Sequence, residues 1–459
     1  MNGLLLGLIF ILNIVLGWFY IDVQTVLYAI IIYFLGLVGI SLFVKRMRYY
    51  NFSIYSVIYG LGSLYIILCY IYMSANSYEY LLAPDISAYF LPKSAEFLNY
   101  KSVVEAQFNN WSEFNLFGRN HVGYFSFLIP FAFLSDYLNA NYYVSMQFST
   151  LVIASLSGIV IFKLLLLNSF FAYRAYIYTL IIAIFSTIFF YSTQLLRDIL
   201  VMFFYLIGIY LTFNKDFNLS TFFKIIIIVF ISCTLRIETG LFLMVIILVY
   251  LLASCRQSGI SYKWIFSGLV VFSLCFGFIL SYFGSIYEVF NNNSEYYLES
   301  DKGDGFIGVL QDIPIIGGVL SIIYNAAQPL PVWYKLDVPL SDNRPEIYNI
   351  MTFPLVFSSI FNWLVVSFII CSIFFERIRS KVYFNLSTPL FYHLIVGFIF
   401  LYIQSAVVDQ RRILAYYVVF YILFFLILKY SSISDKRLMF AFFIMSYLFL
   451  QLISLFKGL

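Results

Sequence analysis

The chain is poor in charge. Only 10% of its 459 residues are Asp, Glu, Lys or Arg, while 63% are hydrophobic. Soluble domains carry about 25% charged and about 45–50% apolar residues. No water-soluble fold hides that much apolar surface, so lipid is the solvent. The net charge of +4 is small and says nothing about nucleic acid; no basic patch with interleaved aromatics occurs beyond what membrane interfaces need, and no nucleic-acid partner is expected. Histidine occurs twice, as His121 and His393. The five cysteines are Cys69, Cys233, Cys255, Cys275 and Cys371, scattered in or beside apolar runs. They form neither a disulfide framework nor a zinc spacing and read as small packing residues. No glycine-rich nucleotide loop, Walker motif or Ser/His/Asp arrangement appears, which disfavours cytoplasmic ATP or nucleotide-sugar chemistry. The stretch Glu299-Ser300-Asp301-Lys302-Gly303-Asp304-Gly305 departs from the calcium-loop spacing. No metal and no cofactor are expected.

What is abundant is the long apolar run. A helical span needs about 20 predominantly apolar residues. Continuous runs such as Ile225–Val229 inside longer stretches favour helices over the alternating pattern of a membrane barrel. Candidate spans are Gly3–Tyr20, Val23–Val44, Ile54–Met73, Tyr143–Leu165, Ala175–Ser192, Ile199–Phe213, Ile225–Leu235, Thr239–Ser254, Trp264–Ile286, Phe353–Phe375, Pro389–Val408, Ile413–Leu428 and Leu438–Phe456. The first run lacks a basic leader and a small-residue cleavage site, and reads as a retained span. A further run, Val122–Leu138, is short, carries Pro130 and is expected to dip in and return. The fold class is therefore all-α: residues 1–459 form one polytopic transmembrane bundle of about 13 spans plus a re-entrant segment. Two long loops, 74–121 and 287–352, lie on one side.

Fifteen of the 26 Lys and Arg then fall on the side opposite those loops, with only Asp216, Glu376 and Asp435 as acids. The positive-inside trend makes that side cytoplasmic, together with the N-terminus. The first outer loop holds Ala83-Pro84-Asp85-Ile86-Ser87-Ala88-Tyr89. It continues with Phe97, Tyr100, Val104 and Phe108 at helical spacing, as in an amphipathic helix lying on the membrane. Asp85 is a candidate base or a loop cap. Arg119 and His121 sit at the mouth of the short Pro130 run. His393, inside a span near its cytoplasmic end, reads as hydrogen-bonded structure. In the second loop Trp333 suits stacking on a sugar ring, and Arg344 adds a cation.

Three short outer turns carry Arg beside an acid: Arg197-Asp198, Arg236-Ile237-Glu238 and Asp409-Gln410-Arg411-Arg412. Two readings stand. Arginine's planar fork binds phosphate bidentately, so the turns suit a diphosphate clamp. Alternatively the charges neutralise one another, and since adjacent residues on a helix do not face each other, that pairing would run between helices.

In order of features, the chain resembles the bacterial polysaccharide repeat-unit polymerases, the Wzy-type O-antigen and capsular polymerases, and the EpsG-like branch in particular. The residues that carry the likeness are Asp85…Tyr89, Gly123-Tyr124, Ser192-Thr193-Gln194-Leu195-Leu196-Arg197-Asp198, Leu235-Arg236-Ile237-Glu238-Thr239-Gly240 and Asp409-Gln410-Arg411-Arg412. The resemblance implies a GT-C-like, metal-independent glycosyltransferase of the bacterial cytoplasmic (inner) membrane. It would join undecaprenyl-diphosphate-linked oligosaccharide repeat units on the outer face, for lipopolysaccharide or capsule. A chain-length regulator protein is an implied partner, beside membrane lipid. Arg197, Arg236, Arg411 and Arg412 would neutralise the leaving diphosphate; Asp85, then Glu238 and Asp409, are candidate bases. The alternatives are a transferase of single sugars from a polyprenyl-phosphate donor, and a lipid-linked oligosaccharide flippase. A flippase would place ionisable groups near mid-membrane.

Overall fold

The computed structural model describes residues 3–43, 48–75, 122–213, 219–236, 239–248, 319, 322–323, 353–383, 386–403 and 414–457. Regular structure among them is α-helix throughout. The helices are α1 Gly3–Tyr20, α2 Val23–Phe43, α3 Arg48–Ala75, α4 Val122–Tyr137, α5 Tyr142–Leu167, α6 Ala172–Phe185, α7 Thr187–Ser192, α8 Arg197–Thr212, α9 Leu219–Leu235, α10 Thr239–Leu248, α11 Phe353–Phe374, α12 Glu376–Tyr383, α13 Thr388–Ile403, α14 Leu414–Tyr430 and α15 Ile433–Lys457. Five contain stretches long and apolar enough to cross a membrane: Val23–Ser41, Tyr49–Ala75, Tyr142–Leu167, Phe353–Phe374 and Ile433–Ile453. Most of the others are shorter but equally apolar. The protein is a multi-pass helical membrane protein.

The hub is α5, which packs against α2, α3, α4, α6, α7 and α8. Its small residues make that possible. Gly158 lies against Ile54 and Ile58 of α3, and Leu151 fills the space beside Gly62. Its serines return their hydroxyls to the helix backbone, Ser155 to Leu151 O and Ser157 to Ile153 O, both at 2.8 Å. These two hydroxyls are thereby satisfied within the apolar bundle. By contrast α1 and α15 expose apolar side chains along much of their length, including Leu4, Leu8 and Ile11 of the first and Met445 and Phe449 of the second. Those are surfaces for lipid.

Helix ends are closed locally. Asp22 caps α2 through the Thr25 amide and hydroxyl. Ser432 and Asp435 form a reciprocal capping box at α15, with Ser432 N donating to Asp435 Oδ2 at 3.0 Å and Asp435 N to Ser432 Oγ at 3.2 Å. After α5, Ser169 adopts a left-handed φ of 62°. Phe170 N then bonds Leu165 O and Ser169 N bonds Leu166 O, a Schellman closure. Lys429 donates to Ser169 O at 2.9 Å, placing a cation against this helix C-terminus.

Contacts fix which ends lie together. Lys163 sits over the Tyr210 ring, Ser387 bonds Asn168, and His393 bonds Thr212. One end of the bundle therefore gathers the C-terminal ends of α5 and α8 with the start of α13. It also carries α12, whose Ile378 and Val382 are buried while Arg377, Arg379 and Lys381 are exposed. The α12 helix was not expected from the sequence, because eight mostly polar residues between two apolar runs read as a loop. A second difference concerns Ala175–Ser192, expected as one span. It is α6 and α7, broken at Ser186, whose extended backbone and hydroxyl, accepting from Ile188 N at 3.2 Å, start a new helix. The expected re-entrant run, α4, lies obliquely in one half of the bundle. Its Ser135 bonds Ser145 of α5 at 2.5 Å, while its Tyr124 approaches Thr150 only five residues further on. The expected span Trp264–Ile286, the amphipathic segment of the first loop, and nearly all of loops 74–121 and 287–352 lie outside the described residues.

Candidate functional site

The centre of the site is a junction between α8 and α9. The α8 helix begins at Arg197 without a side-chain cap from Leu196, and its first-turn acid is Asp198. A carboxylate there complements the positive end of the helix dipole. The neighbouring α9 ends at Leu235, one residue before Arg236. The two helices exchange cations. Arg236 Nη2 donates to Asp198 Oδ1 at 2.5 Å, and Arg197 Nη1 donates to Leu235 O at 3.4 Å, on the negative end of α9. Of the two sequence readings, interhelical pairing is what the structure shows for Arg236 and Asp198. The pairing is crossed: Asp198, at the start of one helix, holds the arginine that follows the other.

The pair is buried, with side-chain exposures of 9% for Arg236 and 4% for Asp198. It is also sunk into the bundle. Tyr124 lies within electrostatic reach of both Asp198 and Arg197 and approaches Thr150. Thr150 stands eight residues after Tyr142, so the cluster lies roughly 12 Å along α5 from its start. The outer turns were expected at headgroup depth; this one lies among the helices, about two turns along α5 from its start.

Close backbone approach sets the geometry. At Gly123 of α4 a Cβ would stand 2.6 Å from Thr234 Oγ1 and 3.1 Å from Thr234 O; at Gly240 of α10 it would stand 2.6 Å from Cys233 N. Two glycines thus clasp the last turn of α9, and Arg236 follows directly from it. On the other side, Thr193 and Gln194 are buried at the tip between α7 and α8, with Gln194 Nε2 on Thr193 Oγ1 at 3.4 Å. Gln194 Oε1 has no hydrogen-bond partner among the described residues. Nothing in single-residue chemistry singled out Gln194 or Tyr124. Gln194 does lie in the motif that leads to Arg197, and Tyr124 in the Gly123-Tyr124 pair.

The α14 helix starts at Leu414 on this same end, because Tyr417 lies near Tyr191 of α7 and Tyr421 near Thr187. Tyr205 of α8 meets Tyr416 at a ring separation of 4.8 Å. The remaining candidates, Asp85, Arg119, His121, Glu238, Trp333, Arg344, Asp409, Arg411 and Arg412, lie outside the described residues. His393 is where a structural histidine was expected: it is buried, with Nε2 3.3 Å from Thr212 Oγ1 and its ring stacked near Phe213. Cys69, Cys233 and Cys371 are buried free thiols, as packing residues should be. Among the described residues no group of three His, Cys, Asp or Glu is arranged to hold a metal ion. Compared with known proteins, the chain matches no family model, and no curated protein or solved structure matches it significantly.

Proposed function

We propose that the protein is a membrane glycosyltransferase that polymerises polyprenyl-diphosphate-linked oligosaccharide repeat units into O-antigen or capsular polysaccharide, on the outer face of the bacterial cytoplasmic membrane. The observation that carries this reading is the buried cluster of Arg197, Asp198 and Arg236 inside an apolar bundle. Charges within a membrane protein are costly and mark substrate paths. The cluster is built from two of the motifs in which the chain resembles the repeat-unit polymerases.

In this reading the bundle is GT-C-like with about 13 spans, its N-terminus is cytoplasmic, and the two long loops face outward. An acceptor hydroxyl on one lipid-linked repeat attacks the anomeric carbon of the growing glycan. The bond from that carbon to the diphosphate oxygen breaks, and the electron pair leaves with the lipid diphosphate. The hydroxyl proton passes to a carboxylate, with Asp85 first and Glu238 and Asp409 behind it. Arg197, Arg236, Arg411 and Arg412 stabilise the negative charge that develops on the leaving group. Trp333, His121, Arg119 and Arg344 hold glycan. Asp198 orients Arg236, and no metal takes part.

A second reading is favoured by one observation. The ion pair lies inside the bundle and not at its rim, as in transporters, which suits a lipid-linked oligosaccharide flippase. One experiment separates the possibilities. Purified protein in liposomes receives the lipid-diphosphate-linked repeat unit, and the glycans are run on a gel. A ladder spaced by whole repeats is expected. A single added sugar from a polyprenyl-phosphate donor makes it a single-sugar transferase, and movement of the lipid without glycan products makes it a flippase. Full activity with Arg197, Arg236 and Arg411 all replaced by Lys would sink the diphosphate clamp.

A further inference from the structure

We propose that a cavity on the far side of α5 holds the hydrocarbon tail of a long polyprenyl lipid; this rests on the function proposed above. The cavity has a volume of about 540 Å³, within the usual range for ligand sites of about 300–1,000 Å³. Leu6 and Ile14 of α1, Ala29 and Phe34 of α2, Ile67 of α3 and Phe148 of α5 are among the residues around it. Among the described residues no charged side chain lines it.

Most polar groups in its wall are engaged with the surrounding helices. Asn13 Nδ2 donates to Gly60 O at 2.9 Å, Tyr59 Oη to Ala29 O at 2.6 Å, and Thr25 Oγ1 to Asp22 Oδ2 at 2.8 Å. Tyr33 Oη pairs with Ser56 Oγ at 2.8 Å. Asn13 Oδ1 and Ser63 Oγ have no hydrogen-bond partner among the described residues; apart from these two oxygens, what the wall offers an occupant is mainly carbon. The cavity is open on one side, since Ile14, Phe34 and Phe52 border it and are 39%, 58% and 45% exposed. In a bilayer that side meets hydrocarbon.

Length selects among lipid chains. Phe52 and Ile67 of α3 both line the cavity, and fifteen residues of helix span roughly 22 Å. One leaflet contributes only about 15 Å of a hydrocarbon core about 30 Å thick. A chain that fills the cavity passes the midplane, which suits a long isoprenoid better than a phospholipid acyl tail. Phe148 faces the cavity, whereas Thr150, about 200° further round α5, faces Tyr124 and the charged cluster. The cavity is therefore separated from the cluster by α5. A polymerase handles two lipid-linked substrates, and this groove serves the one whose diphosphate is not at Arg197 and Arg236.

The test is photolabelling of the full-length protein in liposomes with three diazirine probes: a long-chain polyprenyl phosphate, farnesyl phosphate and a phospholipid with a labelled acyl tail. Crosslinked residues are read by mass spectrometry. The long chain should label α1–α3 residues of the cavity at least several-fold more than either other probe. At Gly7, which lines the cavity, nothing beyond its own stretch of helix lies within 4 Å of where a Cβ would stand among the described residues; the same is true of Gly39, which is not among the residues around the cavity. Gly7→Trp should therefore cut the long-chain labelling several-fold while the folded protein persists, and Gly39→Trp should leave it unchanged. Equal labelling by the phospholipid or farnesyl probe, or undiminished labelling of Gly7→Trp, overturns the proposal. Selective labelling by the long chain, in a protein that forms no glycan ladder, keeps the cavity assignment and removes the polymerase reading.

Discussion

Arg236 and Asp198 meet where two helix ends and an oblique third helix converge, and burial gives their contact its weight. Breaking one partner of a buried ion pair leaves an uncompensated charge and costs about 3–5 kcal/mol, whereas replacing both with apolar residues of similar size is often neutral. Arg236→Ala and Asp198→Asn should each lower the unfolding temperature in detergent markedly, and the double variant Asp198→Leu/Arg236→Met should recover most of the loss. Equal stability of the single variants and wild type would mean that the pair is not a brace. Gly240 is a second sensitive position. A Cβ there would stand 2.6 Å from the backbone nitrogen of Cys233 and 2.8 Å from its Cα. Backbone cannot swing aside as a side-chain tip can. Gly240→Ala should cost about 1–3 kcal/mol, the usual range for overpacking, read as a lower denaturation midpoint. The arginines and their acids were visible in the sequence as unusual outer-turn charges. Which acid serves which arginine was not, because that depends on how α8 packs on α9, and no local pattern encodes it.

At the scale of helices, hydropathy carried most of the information. The runs Gly3–Tyr20, Val23–Val44 and Phe353–Phe375 match α1, α2 and α11 within a few residues, because an apolar stretch in lipid has to close its backbone bonds internally. The misses have local causes. Ser186 breaks an apolar run without any drop in hydropathy, since a serine that caps the next helix looks like any small residue in a span. The α12 helix is too short and too charged to register as a span, yet its two buried residues stand four apart and pack inward. Ser169 gives a prediction at this scale. A non-glycine residue in the left-handed region is strained by about 1–2 kcal/mol, and its side chain is exposed. Ser169→Gly should raise stability by about 1 kcal/mol, allowing for the greater unfolded-state freedom of glycine, and unfolding followed by circular dichroism would detect the shift.

For the whole molecule, the contacts place the basic α12 on the same end as Lys163 and Lys429, and Asp198 with Arg236 toward the opposite end. On the proposed topology, which rests on the positive-inside trend, the α12 face is the cytoplasmic one. Cysteine introduced at Ser380, in a variant without the native cysteines, should react with a membrane-impermeant maleimide in inside-out vesicles and not in intact spheroplasts; the reverse pattern would invert the topology. Membrane residence was legible from composition, because 63% hydrophobic residues leave no soluble alternative, and the helical, multi-pass class from the continuous apolar runs. The depth of the charged cluster was not, since a turn drawn on a hydropathy plot has no neighbours. That depth underlies the central claim, that the buried cluster acts on a lipid-linked diphosphate and is more than a brace. The most direct measurement compares wild type with Asp198→Leu/Arg236→Met for both unfolding temperature and repeat-unit ladder formation in liposomes. The account predicts near-normal stability with the ladder abolished or reduced at least tenfold. A stable double variant that still builds a full ladder would contradict it.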